Sequence, residues 1–155
     1  MKTIKLKIKI LDESIPSPKY AHPGDAGLDL YSSIDCKLKP LERKLIPTGI
    51  KIAIPKGYAG FVQPKSGLAI KNSISIVNTP GLIDSGYIGE VCAIIINLDP
   101  KNVFVIKKGD KICQLVIQKV EKVQLKIVKE LGEPVGEKAD LEVLILIIKK
   151  IKFIV

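Results

Sequence analysis

Tryptophan is absent from the 155 residues, histidine and methionine occur once each, and aromatic side chains make up only 5%. The stacking platforms of single-strand nucleic-acid binders are therefore scarce. Arginine is as rare: Arg43 is the sole one, so the formal net charge of +9 rests on lysine. Those lysines are scattered without a block of five or six, and a basic surface alone does not define a nucleic-acid site. No specific nucleic-acid partner is expected. No apolar run reaches the roughly 18 residues that span a bilayer. Residues 143–148, the longest candidate, fall far short, so no membrane partner is expected either. Residues 1–10 alternate lysine with apolar side chains and lack the continuous apolar stretch of a signal peptide. Cys36, Cys92 and Cys113 are odd in number and widely spaced, which argues against both a disulfide framework and a zinc knuckle. The expected setting is a reducing cytoplasm.

What the sequence does carry is β patterning. With 46% apolar and 26% charged residues, this length suits one domain with a substantial core. Residues 3–10 read T-I-K-L-K-I-K-I, a period-two alternation with one apolar face. Further strands are expected over 28–32, 44–46, 49–54, 59–63, 75–77, 89–97, 103–106, 111–118 and 123–129. Turn signals punctuate them, among them Pro23-Gly24-Asp25, Pro47-Thr48-Gly49, Pro55-Lys56-Gly57, Pro80-Gly81 and Lys108-Gly109-Asp110. Many short strands at this spacing predict an all-β sandwich or barrel of the jelly-roll kind. Residues 66–71 resist a strand and predict one or two helical turns, with Ser66 as N-cap. Residues 141–155 have neither turn residues nor useful alternation and differ in character from what precedes them.

Four loop segments combine glycine and small polar residues with a carboxylate or amide. In Gly24-Asp25-Ala26-Gly27-Leu28-Asp29-Leu30, Asp29 enters a strand among apolar neighbours, where an unpaired carboxylate is costly. A hydrated metal ion is one candidate partner; an ordinary surface turn is the other reading. Pro64-Lys65-Ser66-Gly67-Leu68-Ala69 puts a lysine, a hydroxyl and a glycine at a helix start whose free N–H groups suit an anion. The same string also reads as a plain N-cap beside a solvated lysine. The stretch from Asn78 to Glu90 is the densest. Two turns bracket Leu82-Ile83, predicting a tight hairpin whose backbone can hydrogen-bond a planar ligand. Asp84 would orient a water there and Tyr87 would face a sugar, unless these are turn chemistry around a core aromatic. Gln114 follows the Gly109-Asp110 turn as an amide amid apolar neighbours, which must find partners in a ligand or in the core.

In this order and spacing, the strings A-G-L-D-L, P-K-S-G-L-A, G-L-I-D-S-G-Y-I-G-E and G-D-K-I-C-Q-L resemble the first four motifs of the trimeric dUTP pyrophosphatase (dUTPase) family. The resemblance covers about residues 1–133. It implies a distorted jelly-roll-like β-barrel or sandwich of the β-clip type, with one short helix. It also implies a homotrimer with active sites at subunit interfaces and a dependence on Mg²⁺. The implied reaction is dUTP plus water giving dUMP and pyrophosphate, which limits uracil incorporation into DNA and supplies dUMP for dTMP synthesis. By the same analogy Asp84 activates the water that attacks the α-phosphorus. Asn78 and the backbone of Gly81, Leu82 and Ile83 read the uracil edge, and Tyr87 packs under the deoxyribose and excludes a 2′-hydroxyl. Lys65, Ser66 and Gly67 hold phosphates, Gln114 sits near the metal-triphosphate, Asp29 reaches the metal through water, and Cys92 borders the substrate.

Two departures from the family pattern stand out. Lys65 replaces the usual arginine, and a point-charge ammonium loses the bidentate geometry. The fifth motif is also missing: a glycine-rich C-terminal arm of the type R-G-x-G-G-F-G-S-T, which closes over a neighbouring subunit's site. Residues 134–155 instead read as that arm out of frame. Admissible codons for residues 133–144, read in a shifted frame, give T-G-R-G-(E or K)-G-G-F-G-S-T, a match permitted by third-base freedom rather than forced. The expected domain thus spans residues 1–133, followed by an atypical tail. The chain as written is expected to fold and trimerise, yet to bind dUTP weakly and turn it over poorly. A dCTP deaminase of the same fold is the nearest alternative, although the I-D-S-G-Y string looks more like the uracil-reading form. A non-catalytic jelly-roll binding or assembly module is the alternative from a different class.

Overall fold

The computed structural model of the chain describes residues 3–132. Its strands are β1 (Lys7–Ile10), β2 (Leu28–Tyr31), β3 (Cys36–Leu38), β4 (Arg43–Ala53), β5 (Tyr58–Gln63), β6 (Ile74–Ile76), β7 (Gly81–Ile83), β8 (Glu90–Asn97), β9 (Phe104–Ile106) and β10 (Lys111–Lys119). One short helix, α1 (Ser66–Asn72), lies between β5 and β6. Eight strands form two four-stranded antiparallel sheets, ordered β1-β4-β8-β6 and β2-β10-β5-β7, while β3 pairs with β9. Alternation along β8 buries Val91, Ala93, Ile95 and Asn97. Val91, Ala93 and Ile95 join Ile46, Ile50 and Ile52 of β4 and Leu30, Val62, Ile83 and Leu115 of the other sheet in one apolar cluster. Each fully buried Ile or Leu there contributes about 1.5–3 kcal/mol. The result is the expected all-β, jelly-roll-like sandwich.

Several local expectations are corrected. The first strand is shorter than residues 3–10, because only Lys7 to Ile10 have partners, opposite Ala53 to Ile50. Pro47-Thr48-Gly49 is not a turn: β4 runs through it with a register irregularity between Pro47 and Lys51. The Pro47 carbonyl there accepts hydrogen bonds from Ser33 N–H (3.0 Å) and Ser33 Oγ (3.1 Å), and Gly49 takes a positive φ of 68°. Leu82-Ile83 does not form its own hairpin. β6 joins one sheet and β7 the other, so residues 77–80, with a cis Thr79-Pro80 bond, carry the chain between layers. Ser66 is not the N-cap; Lys65 is, with an extended backbone and a carbonyl that accepts the Ala69 N–H at 3.0 Å. No side chain caps this end.

By their internal contacts the residues fall into two units, Met1–Lys122 and Val123–Val155. Of the second unit, residues 123–132 are described, and they contain no strand. The strand expected over 123–129 is therefore absent: Leu125 and Ile127 are 87% and 99% exposed, and no ladder partner meets them among the described residues. The whole of the atypical tail, residues 134–155, lies outside the described residues, and so does its reading as a shifted frame.

Candidate active site

A polar row crosses the sheet β2-β10-β5. Asp29 on β2 lies opposite Gln114 on β10, and Gln114 lies opposite Gln63 on β5. Asp29 has a side chain only 3% exposed, yet it is not alone. Lys65, 26% exposed at the end of the β5–α1 loop, donates a hydrogen bond to Asp29 Oδ1. The Lys111 ammonium lies 2.8 Å from Oδ2, at an angle that does not make an aligned hydrogen bond. Burial alone would push the Asp29 carboxyl up; the two ammoniums, Lys111 and then Lys65, outweigh it and hold it below the ordinary value. Gln114 Nε2 donates to the Pro64 carbonyl at 3.3 Å, tying this row to the loop that carries Lys65. Gly27 makes room for that amide: a Cβ there would stand 2.8 Å from Gln114 Oε1. Ser66 and Gly67 follow on the exposed first turn of α1, with open space around Gly67.

A second group lies around β7. An open cavity of about 70 Å³ is lined by Val62, Ile76, Asn78, Gly81, Leu82, Ile83, Cys92 and Ala93. Among the described residues β7 is the edge of its sheet and pairs only with β5, so the other edge of its backbone has no ladder partner there. Asn78 stands beside Gly81, its amide nitrogen 3.4 Å from where a Cβ would be. Ala93 and Cys92 of β8 both line the cavity, Ala93 buried and Cys92 half-buried. Burial, and then Glu90, push its thiol up, so it stays protonated. Cys113 is pushed up to about 12 by burial. Asp84 follows β7 with its side chain exposed, and its carbonyl accepts the Tyr87 N–H at 3.0 Å. The Tyr87 ring folds over Gly89 and its hydroxyl donates to the Glu90 carbonyl at 2.7 Å. Tyr87 is thus a half-exposed loop residue and not a core aromatic.

The residues named from sequence therefore fall in two groups: Asp29, Lys65 and Gln114, with Ser66 and Gly67 adjoining, and Asn78, Gly81, Leu82, Ile83 and Cys92, with Asp84 and Tyr87 following. No hydrogen bond or ion pair among the described residues links Asp84 or Tyr87 to Asp29, Lys65 or Gln114. Lys111 is the participant that sequence reading missed. Among the described residues no three His, Cys, Asp or Glu side chains converge on a metal position. One carboxylate, already flanked by two ammoniums, does not make an all-protein cage. It could hold a divalent cation only through that ion's own water shell. No helix among the described residues is long and apolar enough to cross a membrane.

Comparison with known proteins gives the family. A family model described as dUTPase matches residues 13–138. The deoxyuridine 5′-triphosphate nucleotidohydrolase of Corynebacterium glutamicum is 50% identical over 130 residues, covering 84% of this chain and 87% of that protein. The protein of the same name from Streptomyces avermitilis is 46% identical over 130 residues, covering 84% and 74%. Among solved structures, the Staphylococcus bacteriophage 80alpha dUTPase with dUPNHPP superposes with a TM-score of 0.79 at 30% identity, covering 88% of this chain and 94% of that one. A mutant dUTPase from phage phi11 of S. aureus, described for its coordination of a structural Mg(II) ion, gives 0.76 at 29% identity, covering 83% and 99%. A family match over most of the length, with a relative at this identity, has one reading: the chain belongs to the dUTPase family.

Proposed function

We infer that the chain hydrolyses dUTP to dUMP and pyrophosphate. The observation that carries this reading, beyond family membership, is the backbone edge of β7 that has no ladder partner among the described residues, lining a small cavity beside Asn78. Alternating N–H and C=O groups along a strand edge complement the donor and acceptor pattern of a uracil ring. A 4-amino group in place of the 4-oxo group puts a donor against a donor. Tyr87 packs under the deoxyribose. Lys65, Ser66, Gly67 and Gln114 receive the phosphates, where the lysine supplies charge without arginine's fork. Water attacks the α-phosphorus, the bond to the bridging oxygen of the β-phosphate breaks, and pyrophosphate leaves. Asp84 orients that water and takes its proton. Asp29 would hold the water shell of an Mg²⁺ ion bound with the triphosphate, and such an ion would supply neutralisation of the phosphate charge.

The two groups of residues are completed across subunits in a homotrimer. That assembly is supported by the absence, among the described residues, of any hydrogen bond or ion pair joining Asp84 or Tyr87 to Asp29, Lys65 or Gln114, and by exposed apolar side chains such as Ile70 and Ile88, which a subunit interface would cover. Residues 134–155 are a frame-shifted form of the glycine-rich arm, so the chain as written admits water to the reacting phosphates and lacks a charged contact to the γ-phosphate. The test is pyrophosphate release from dUTP, dCTP and UTP, with and without Mg²⁺, by the chain as written and with the arm restored in frame. Hydrolysis confined to dUTP, dependent on Mg²⁺ and raised about 100-fold or more by the arm is expected. Ammonia from dCTP would indicate a deaminase. No hydrolysis after repair would indicate a binding module. Coding DNA with no glycine-rich reading in either alternative frame would remove the frameshift reading.

A further inference from the structure

Asp29 lies between two lysines, and only one of them belongs to the loop that meets phosphate. Lys65 bonds Oδ1 from that loop, and Lys111 reaches Oδ2 from the start of β10. A carboxylate with 3% exposure is costly unless its charge is compensated within the protein. A triphosphate that recruits Lys65 removes one of the two compensating charges from Asp29. Lys111 is the other.

The strand is irregular where it delivers this lysine. β10 pairs with β2 as Gln114 opposite Asp29 and Cys113 opposite Leu30, but then Lys111, not Ile112, stands opposite Tyr31. Strand side chains alternate between faces. In a regular ladder Lys111 would therefore share a face with Leu30, which is fully buried in the apolar core. The extra residue returns Lys111 to the face of Asp29 and Gln114, as bulges beside functional sites do. Its signature is the pair Ile112 and Cys113, neighbours in sequence and both buried.

We propose that Lys111 is a positioning residue for dUTP hydrolysis: it is the counter-ion that stays on Asp29 while the phosphates draw Lys65 off Oδ1, which frees Oδ1 to accept hydrogen bonds from water around the triphosphate. Lys65 thus has two alternative partners, the Asp29 carboxylate before substrate arrives and phosphate afterwards. Lys111 touches no substrate atom. The proposal rests on the hydrolase reading and extends it to a residue outside the phosphate loop.

The test measures binding to the full chain by calorimetry in the presence of Mg²⁺. It uses two probes, the imido analogue of dUTP and dUMP, which lacks the β- and γ-phosphates. Lys111→Met should weaken the imido analogue by about tenfold or more, because Lys65 can no longer leave a buried carboxylate that has no other counter-ion. Affinity for dUMP should stay within about twofold. Lys111→Arg should recover most of the lost affinity. Equal losses for both probes would show a merely structural role and overturn the proposal, as would unchanged affinity for the imido analogue. Should Lys111→Met not fold, Lys111→Gln against Lys111→Arg carries the same comparison. Unaltered protein that bound neither probe would overturn the hydrolase reading itself, a failure distinct from wild-type binding that the Lys111 variants share.

Discussion

Gly89 is the position from which the tyrosine proposed to face the sugar can be moved without altering it. A Cβ at Gly89 would lie 2.5 Å from Tyr87 Oη, 2.6 Å from Cζ and 3.0 Å from Cε2. The hydroxyl oxygen and two ring carbons meet the new methyl at once, so Gly89→Ala forbids the observed ring position. The ring must swing away and give up the 2.7 Å hydrogen bond from its hydroxyl to the Glu90 carbonyl. Because Tyr87 is 44% exposed, water replaces that partner, and the cost to folding is about 1 kcal/mol. The ligand loses more. An aromatic ring packed under the deoxyribose contributes on the order of 1–2 kcal/mol, which corresponds to about 5–30-fold in Kd. The exclusion of a 2′-hydroxyl goes with it, so the imido analogue of UTP should lose little affinity or gain some. The assay is calorimetric Kd for the imido analogues of dUTP and UTP, alongside thermal denaturation. A narrowed dUTP-to-UTP ratio with Tm lowered by no more than about 8 °C is expected. Tyr87→Phe keeps the ring and removes one exposed hydrogen bond, so its effect should stay within about fivefold. Full discrimination retained by Gly89→Ala would sink the argument, since it would mean the sugar is not read by the ring in this position.

Gly60 tests the core in the same way: an added Cβ would meet Ile54 Cδ1 at 2.9 Å, Leu115 Cδ1 at 3.1 Å and Ile83 Cβ at 3.4 Å. Gly60→Ala should destabilise the fold by about 1–3 kcal/mol through overpacking, read as a lower urea midpoint; an unchanged midpoint would mean the sheets separate freely there. Asp12 offers a pH test. The Lys108 ammonium, and then Ser14, hold its carboxyl at about 2, below the ordinary 3.8. A folded-state value below the unfolded one makes this contribution to stability complete above about pH 4 and lost as pH falls toward 2. Carbon-detected titration of Asp12 should therefore move upward in Lys108→Met, and an unmoved titration would refute the assignment.

The parts of the fold legible in the sequence are those that depend on near neighbours. Alternation in E-V-C-A-I-I-I-N gives the two faces of β8, and with them the position of Cys92 opposite the core. A carboxylate between Leu28 and Leu30 demands a partner whatever the fold, and Asp29 has two. What alternation cannot supply is the identity of a partner distant in sequence. It marks Leu125 and Ile127 as apolar without saying what covers them, and it marks Leu82 as a turn neighbour without saying that β6 and β7 join different sheets. Breakers mislead for the same reason. Pro47 looks like a chain reversal until Ser33, fourteen residues earlier, is seen to bond its carbonyl and let β4 continue. Lys111 is the most instructive omission, because its clue was local. Ile112 and Cys113 are adjacent apolar residues in a strand whose next buried residue is Leu115. A regular ladder would put one of the two on the polar face beside Asp29. An extra residue buries both, and the same shift is what turns Lys111 toward the carboxylate. Broken alternation beside a buried charge is therefore itself a sign of where a counter-ion enters, and it points to Lys111 before any side-chain distance is known.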